Sequence, residues 1–362
     1  MDNVMQSIEE RLIIKATNEK RPINAAFELT PNCNMNCDMC FIRLSGEEMN
    51  AQGRILSLEE WIQIALQLKE EGTLFLLLTG GEPLLYPDFE ELYIKLHDMG
   101  MILTVNTNGT LITEKIGNLF SKYKPRRVNV TLYGASNETY RLLCHNDKGF
   151  TQVMEGLAIL KENGIDVKLN GTVVPENEHE IDSMISIAKQ FDYYIKFDTY
   201  IFPSSRKKIR NFCPSSRLSA FQAARKSVEI KQKLKNKEEF DNYRDYILSN
   251  NECTEKQGTC MECRAGKSSL WITWKGELTP CVFLEYPSYD LLDSRLGEAW
   301  NKLCEGVTDI RLPEKCADCE FRKVCQICAA SAYCEMKSMS GSIEYMCDYT
   351  SSIIKELEKT KK

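Results

Sequence analysis

The stretch "AAFELTPNCNMNCDMCF", residues 25–41, places three cysteines shortly after an apolar run. The run at residues 25–29 has the length and composition of a buried strand. A structural zinc ion needs four ligands, but after Cys33, Cys37 and Cys40 the next cysteine along the chain is Cys144. Three thiolates on a 4Fe–4S cluster leave one iron open to a small molecule. The loop is therefore predicted to hold such a cluster.

Short apolar runs alternate with amphipathic segments between residues 24 and 203, which predicts repeated βα units and a parallel sheet. The predicted strands are 25–29, 74–78, 102–106, 127–132, 167–173 and 194–201, and the predicted helices are 58–71, 88–99, 113–123, 151–163 and 178–191. Ser57 and Glu60 form a capping-box pattern at the first of these helices. Periodicity alone leaves two architectures open, a partial barrel and an open doubly wound sheet.

Composition and charge exclude several classes of protein. The chain has 362 residues, with 46 basic and 52 acidic side chains and a net charge of −6. It has no long basic stripe, which argues against a nucleic-acid partner. The sequence has no signal-peptide pattern and no run of about 18 apolar residues, so we expect a cytoplasmic protein that does not enter a membrane. Sixteen cysteines in a reducing compartment favour metal or redox chemistry over disulfides.

The pattern along the chain predicts five segments. They are an N-terminal segment (1–23), a βα-repeat domain (24–203), a linker and helical bridge (204–252), a cysteine-rich domain (253–348) and a C-terminal helix (349–362). The cysteine-rich domain has too few continuous apolar runs for a conventional core. It is therefore predicted to fold around metal.

The cysteine loop, followed by Phe41, resembles the signature of the radical S-adenosylmethionine (SAM) superfamily. "TGGEP" at residues 79–83, after the second predicted strand, is similar to another motif of that family. The resemblance implies a partial (β/α)6 TIM-like barrel with its site at the carboxyl ends of the strands. It also implies that the open iron binds the amino and carboxylate groups of SAM, and that an electron from the cluster cleaves SAM to a 5′-deoxyadenosyl radical.

The resemblance assigns SAM contacts to residues at or just after the ends of the predicted strands. They are Gly80, Gly81, Glu82, Pro83, Asn108, Thr131 and Asn177. Glu82 would face the ammonium group of SAM, and the glycines would let the backbone approach the ligand closely. Asn177 has an alternative interpretation as a helix N-cap. The family's arginine is not matched, because Cys144 stands near its place and the closest arginine is Arg141.

The cysteine-rich domain resembles the SPASM extension of radical SAM enzymes that modify peptides and proteins. The resemblance implies two auxiliary 4Fe–4S clusters, and so three in all. One would be bound by Cys260, Cys263, Cys281 and Cys328, and the other by Cys316, Cys319, Cys325 and Cys347. Alternatives are Cys253 in place of Cys260, Cys334 in place of Cys328, and a zinc ribbon on the last two cysteine pairs. Cys144, Cys213 and Cys304 are expected to be plain thiols.

The SPASM resemblance predicts a maturase that abstracts hydrogen from a ribosomally made peptide and forms a thioether or carbon–carbon crosslink. The expected partners are the precursor peptide and a low-potential electron donor of flavodoxin or ferredoxin type. About 23 residues precede the first strand, too few for a peptide-recognition domain. A separate leader-peptide-binding protein or the barrel surface is therefore expected to hold any leader.

Three other functions stay open. Anaerobic sulfatase maturases usually carry an aspartate where this chain has Val282. Sugar or aminocyclitol dehydrogenases share the architecture, and an iron–sulfur electron carrier would need no SAM cradle.

No catalytic acid or base is assigned. Lys196 and Asp198 on the last strand are either acid–base groups or a structural ion pair.

Overall fold

A computed structural model describes residues 7–203, 217–250, 261 and 263–361. Its sheet has the strand order β6-β5-β4-β3-β2-β1-β7-β8-β9. The strands are β1 (Asn24–Glu28), β2 (Phe75–Thr79), β3 (Ile102–Thr107), β4 (Arg127–Leu132), β5 (Val167–Thr172), β6 (Tyr194–Asp198), β7 (Ser269–Ile272), β8 (Glu277–Thr279) and β9 (Tyr289–Asp290). All six predicted strands are present, and the last ends at Asp198 rather than at residue 201.

Strands β1 to β6 are parallel and lie side by side in chain order. A doubly wound sheet needs a point at which the strand order reverses, and strands β1 to β6 keep one direction of winding throughout. The doubly wound alternative is therefore wrong. The predicted α/β fold with a parallel, partial barrel is confirmed, and the mixed sheet does not close on itself.

The sheet also contains three short strands from the cysteine-rich region, and the sequence did not predict that they join the sheet at β1. β7 pairs in parallel with β1, and β8 and β9 continue the sheet in antiparallel fashion. The indole Nε1 of Trp271 donates to Glu28 Oε2 at 2.8 Å across the β1–β7 pair. The predicted cysteine-rich domain thus contributes three strands to the same sheet as the βα repeats.

Helices alternate with the parallel strands, and further helices follow in the C-terminal region. They are α1 (Ile8–Asn18), α2 (Gly46–Gln52), α3 (Leu58–Glu70), α4 (Phe89–Asp98), α5 (Glu114–Lys122), α6 (Asn137–Cys144), α7 (Gly149–Glu162), α8 (Ile181–Phe191), α9 (Ala220–Leu234), α10 (Lys237–Ser249), α11 (Leu296–Thr308), α12 (Ala329–Met336) and α13 (Glu344–Glu358). The last helix begins at Glu344 rather than near residue 349, so it includes Cys347. In the described residues, no helix is both long and apolar enough to cross a membrane.

Alternation along the parallel strands sets the two faces of the sheet. On β4, Val128, Val130 and Leu132 are fully buried beneath the helices, whereas Asn129 and Thr131 between them are only partly buried. Side chains on a strand point to opposite faces in turn. On this strand the face turned away from the helices is therefore polar, and it is available for a site.

Helix α3 is fixed by the predicted capping box. Ser57 Oγ accepts from Glu60 N at 3.3 Å, and Glu60 Oε2 accepts from Ser57 N at 2.8 Å. The helix buries Trp61, Ile64 and Leu68 in the main core. Helix α2 has the same kind of cap at Ser45 but buries none of its residues.

We predict that Ser57→Ala lowers the free energy of unfolding by about 1 kcal/mol, because the Glu60 N–H loses its partner. Urea unfolding followed by circular dichroism measures the change. Ser45→Ala is the matched control and should have a smaller effect, since α2 buries no residue in the core. Equal losses from the two variants would contradict the prediction.

Candidate active site

A cavity of about 270 Å³ lies at the carboxyl ends of the parallel strands. Most of the predicted residues of the cysteine loop and of the loops after β2, β3 and β4 meet there. Its lining includes Cys33, Cys37, Cys40, Phe41, Gly80, Gly81, Asn108, Thr131, Tyr133, Thr172, Asp198 and Phe202. Parallel-strand folds place their chemistry at this end of the sheet.

The glycine pair packs against the start of the cysteine loop. A Cβ atom on Gly80 would lie 2.4 Å from the Thr30 carbonyl oxygen, and one on Gly81 would lie 2.3 Å from that of Asn32. Gly80 also has φ of +153°, a value that favours glycine. The family resemblance predicts that the two glycines let the backbone approach a ligand closely. In the structure they admit another stretch of backbone, and they border the cavity beside it.

Glu82 lies beneath this loop and is fully buried. Its Oε1 accepts from Thr107 Oγ1 at 2.8 Å, and its Oε2 accepts from Asn108 N at 2.8 Å. Burial raises the pKa of this carboxyl to about 7. Pro83 begins a short 3₁₀ turn, Pro83–Leu85. Neither residue lines the cavity. Through its two hydrogen bonds Glu82 connects the loop after β2 to the end of β3, and its contact with an ammonium group stays a prediction.

Asn108 connects the third loop to the cysteines. Its Nδ2 lies 3.6 Å from Cys33 Sγ and donates to Asn34 Oδ1 at 2.9 Å. Two backbone N–H groups also donate to the sulfurs. Met35 N lies 3.4 Å from Cys33 Sγ, and Arg43 N lies 3.3 Å from Cys40 Sγ. Hydrogen bonds to sulfur are a usual feature of iron–sulfur ligands. The residues present therefore fit a cluster bound at this loop.

The other predicted SAM residues have different surroundings. Thr131 lines the cavity. Asn177 Nδ2 donates to the carbonyl oxygens of Tyr133 and Thr172, both at 2.8 Å, and joins the loops after β4 and β5. The N-cap alternative for Asn177 is wrong, because α8 is capped at Glu180. Arg141 pairs with Glu138 on the surface of α6.

A fourth cysteine, Cys144, lies next to the cysteine loop, although the sequence predicts only a plain thiol there. Cys144 is fully buried, and its side chain is a hydrogen-bond partner of Cys37. The Cys144 carbonyl accepts from Asn36 N at 3.0 Å, and the Leu143 carbonyl accepts from Asp38 N at 3.2 Å. The Cys144 hydrogen bond and burial raise the pKa of Cys37 well above its usual value. The carboxyl end of α6 is therefore hydrogen-bonded to the loop on both sides of Cys37.

The described C-terminal cysteines form two neighbourhoods. Burial raises the pKa of Cys281 to about 11, and the Cys328 and Cys263 thiols add to the rise. Burial likewise raises the pKa of Cys316, with further contributions from Cys325, Cys319 and Cys347. Cys334 lies near Cys281 and Cys328. Cys260, Cys253 and Cys213 lie outside the described residues.

The described cysteines are all free thiols. Across the described ranges, no three His, Cys, Asp or Glu side chains converge on a single-ion site. In a 4Fe–4S cluster each thiolate binds a different iron, so its ligands surround a volume rather than a point. Assignment of these cysteines to clusters stays a prediction.

A second cavity of about 490 Å³ adjoins the first. The two share the side chains Phe41, Asp198, Tyr200, Phe202 and Phe283 in their linings. Phe283 stacks on Phe202 with centroids 4.3 Å apart and contacts Phe41 at 4.4 Å. These three rings, called the aromatic wall below, form the boundary between the cavities.

Residues 27–188 match the family model of the radical SAM superfamily. These residues therefore form a radical SAM domain. The matched range contains the cysteine loop, the glycine pair and Thr131. The family implies a 4Fe–4S cluster and SAM, and the cysteine-rich C-terminal region predicted for its SPASM-type members is present.

Curated relatives of this radical SAM protein carry different names. The AdoMet-dependent heme synthase of Methanosarcina barkeri is 26% identical over 341 residues, which covers 89% of this chain and 94% of the relative. The antilisterial bacteriocin subtilosin biosynthesis protein AlbA of Bacillus subtilis is 26% identical over 262 residues, which covers 72% of this chain and 55% of that protein.

Solved structures share the fold along nearly the whole chain. Streptococcus suis SuiB bound to precursor peptide SuiA aligns with a TM-score of 0.68 and 17% identity over 96% of this chain and 83% of that one. Native anSMEcpe with bound AdoMet aligns with a TM-score of 0.70 and 17% identity over 93% of this chain and 97% of that one. The cysteine-rich region is therefore part of a shared architecture.

We predict that Gly81→Ala destabilises this radical SAM protein by about 1–3 kcal/mol, because the new methyl group would overlap the Pro31 and Asn32 carbonyl oxygens. Anaerobic thermal unfolding measures the change. Gly46→Ala is the control, since a Cβ there meets nothing within 4 Å. Similar unfolding temperatures for both variants would contradict the packing argument.

We predict that Cys144→Ala makes the reduction potential of the cysteine-loop cluster more negative. A Cys37 thiolate on iron carries no proton, so Cys144 would be the hydrogen-bond donor, and donors to sulfur favour the reduced cluster. The measurement is a redox titration of the electron paramagnetic resonance signal that SAM addition alters.

Two variants control this titration. Cys304→Ala removes another buried thiol, on α11, and should leave the potential unchanged. Cys144→Ser keeps a donor and should give a smaller shift than Cys144→Ala. An unchanged potential in Cys144→Ala would refute the hydrogen bond.

Proposed function

We propose that this protein uses SAM and three 4Fe–4S clusters to modify a ribosomally made peptide, with formation of a thioether or carbon–carbon crosslink. The observation that carries the proposal is the pair of adjoining cavities. The smaller one contains the cysteine loop, and the larger one has room for a substrate segment beside it. The names of SuiB with its precursor peptide and of AlbA support a peptide as the substrate class.

In this proposal Cys33, Cys37 and Cys40 hold the cluster to which SAM binds. When bound, the cluster and SAM supply a 5′-deoxyadenosyl radical that abstracts hydrogen from carbon. The chain's own residues provide the surroundings. The glycine pair and Thr131 border the ligand, and the aromatic wall excludes water from the reacting groups.

The larger cavity is the proposed place of the substrate side chains. Its apolar side consists of residues from α10 and α13, among them Ile247, Ile353 and Tyr349. Its other side is the aromatic wall, which it shares with the smaller cavity. A peptide side chain lying in this cavity would have its carbon atoms close to the position of SAM, as hydrogen abstraction requires.

The C-terminal cysteines are proposed to hold two auxiliary clusters that accept the electron released on crosslinking. One group is Cys260, Cys263, Cys281 and Cys328, and the other is Cys316, Cys319, Cys325 and Cys347. The proximity of the described members of each group supports the assignment. A flavodoxin- or ferredoxin-type donor and a separate leader-peptide-binding protein complete the proposed system.

Heme synthesis is the second candidate function. The specific observation that favours it is the match to the M. barkeri heme synthase, which extends over nearly the full length of both chains. The AlbA match covers only about half of that protein. The two candidates differ in substrate, so one experiment can separate them.

The test is anaerobic co-expression with each short peptide encoded beside the gene, followed by mass spectrometry. We expect one peptide to lose two hydrogen atoms per crosslink. A Cys33→Ala variant should leave that peptide unmodified, because the cluster loses a ligand, whereas Cys304→Ala should not. Unchanged peptides together with heme formation from a supplied heme precursor would replace the peptide proposal with the heme synthase.

A further inference from the structure

Two lysines and one aspartate bring charge into the otherwise largely apolar larger cavity. Lys196 and Asp198 lie on β6, and Lys231 lies on α9. Lys196 Nζ is 2.7 Å from Asp198 Oδ1. The two residues form an ion pair on the same face of one strand, and an acid–base role for them stays a prediction. Among the cavity's described residues, this pair leaves the charge of Lys231 uncompensated.

Lys231 is half-buried between a hydroxyl group and an aromatic ring. Its Nζ lies 3.5 Å from Ser227 Oγ and 5.2 Å from the centroid of the Tyr243 ring. Within the described part of the chain, no carboxylate forms an ion pair with this ammonium group. A partly desolvated ammonium group without a counter-ion is unfavourable, and a bound anion would relieve the cost.

The electrostatics of the cavity agree with this geometry. Burial lowers the pKa of Lys231, and the positive charges of Lys196 and Lys235 lower it further, while Asp198 opposes them. The three charged groups of the cavity therefore carry one net positive charge when both lysines are protonated. One carboxylate would neutralise it.

We propose that the Lys231 ammonium binds a carboxylate of the peptide substrate, with Lys196 as a second cation nearby. This inference rests on the proposed function and adds a substrate feature, an acidic residue flanked by apolar ones. The apolar neighbours would contact Ile247 and Ile353, which also line the cavity. The acidic residue would thereby fix how far the peptide reaches toward the aromatic wall and the smaller cavity.

The test measures binding rather than turnover. The probe is a fluorescein-labelled peptide with one glutamate flanked by isoleucine and phenylalanine, and its twin has glutamine instead. Fluorescence anisotropy with the cluster-loaded protein should show about tenfold tighter binding of the glutamate peptide, the size expected for a charge-assisted hydrogen bond. Lys231→Gln should abolish this preference.

Lys233→Gln is the matched control, because Lys233 lies on the same helix but pairs with Asp182. It should keep the preference, and circular dichroism should show that both variants are folded. A wild-type protein without preference, or a Lys231→Gln variant that retains it, would overturn the inference. The binding result is independent of crosslinking, so loss of peptide modification would refute the proposed function without deciding this site.

Discussion

The close approach of two backbone segments determines the geometry of the site. Gly81 N donates to the Thr30 carbonyl at 2.7 Å, and Glu82 N donates to the Asn32 carbonyl at 2.8 Å. From there the Glu82 carboxylate bonds Asn108, and Asn108 reaches Cys33. One chain of hydrogen bonds thus fixes the first cysteine relative to β2 and β3. Any side chain at position 81 would push these segments apart.

The C-terminal region acts on the same loop from the other side of β1. Strand β7 pairs with β1, and the chain then returns through β8 to Cys281 and Phe283. Phe283 contacts Phe41, the residue that follows the third cysteine of the loop. A region that looks separate in the sequence is therefore part of the wall around the site. The fold similarity to SuiB and anSMEcpe likewise extends beyond the βα repeats.

The parts of the fold that could be predicted depend on local patterns. Strands β1 to β6 and the Ser57 cap follow from periodicity and from residues three positions apart. The β7 pairing and the Cys144 contact with Cys37 could not be predicted in this way, because each joins residues far apart in sequence. The glycine pair lies between these cases. Its position was predictable, but a Gly-Gly motif fits a ligand and a neighbouring backbone equally well, and only the fold shows the second use.

The aromatic wall lies between the two cavities and close to the cysteines around Cys281. Phe283 borders both cavities and lies two residues after Cys281, whose thiol has Cys328 and Cys263 nearby. An apolar shell around a metal site lowers solvent access and shifts its potential. The same rings that border the smaller cavity would therefore also tune the proposed auxiliary cluster. Under the proposed function, a substrate that displaces or orders the wall would change both the smaller cavity and the route by which the electron leaves.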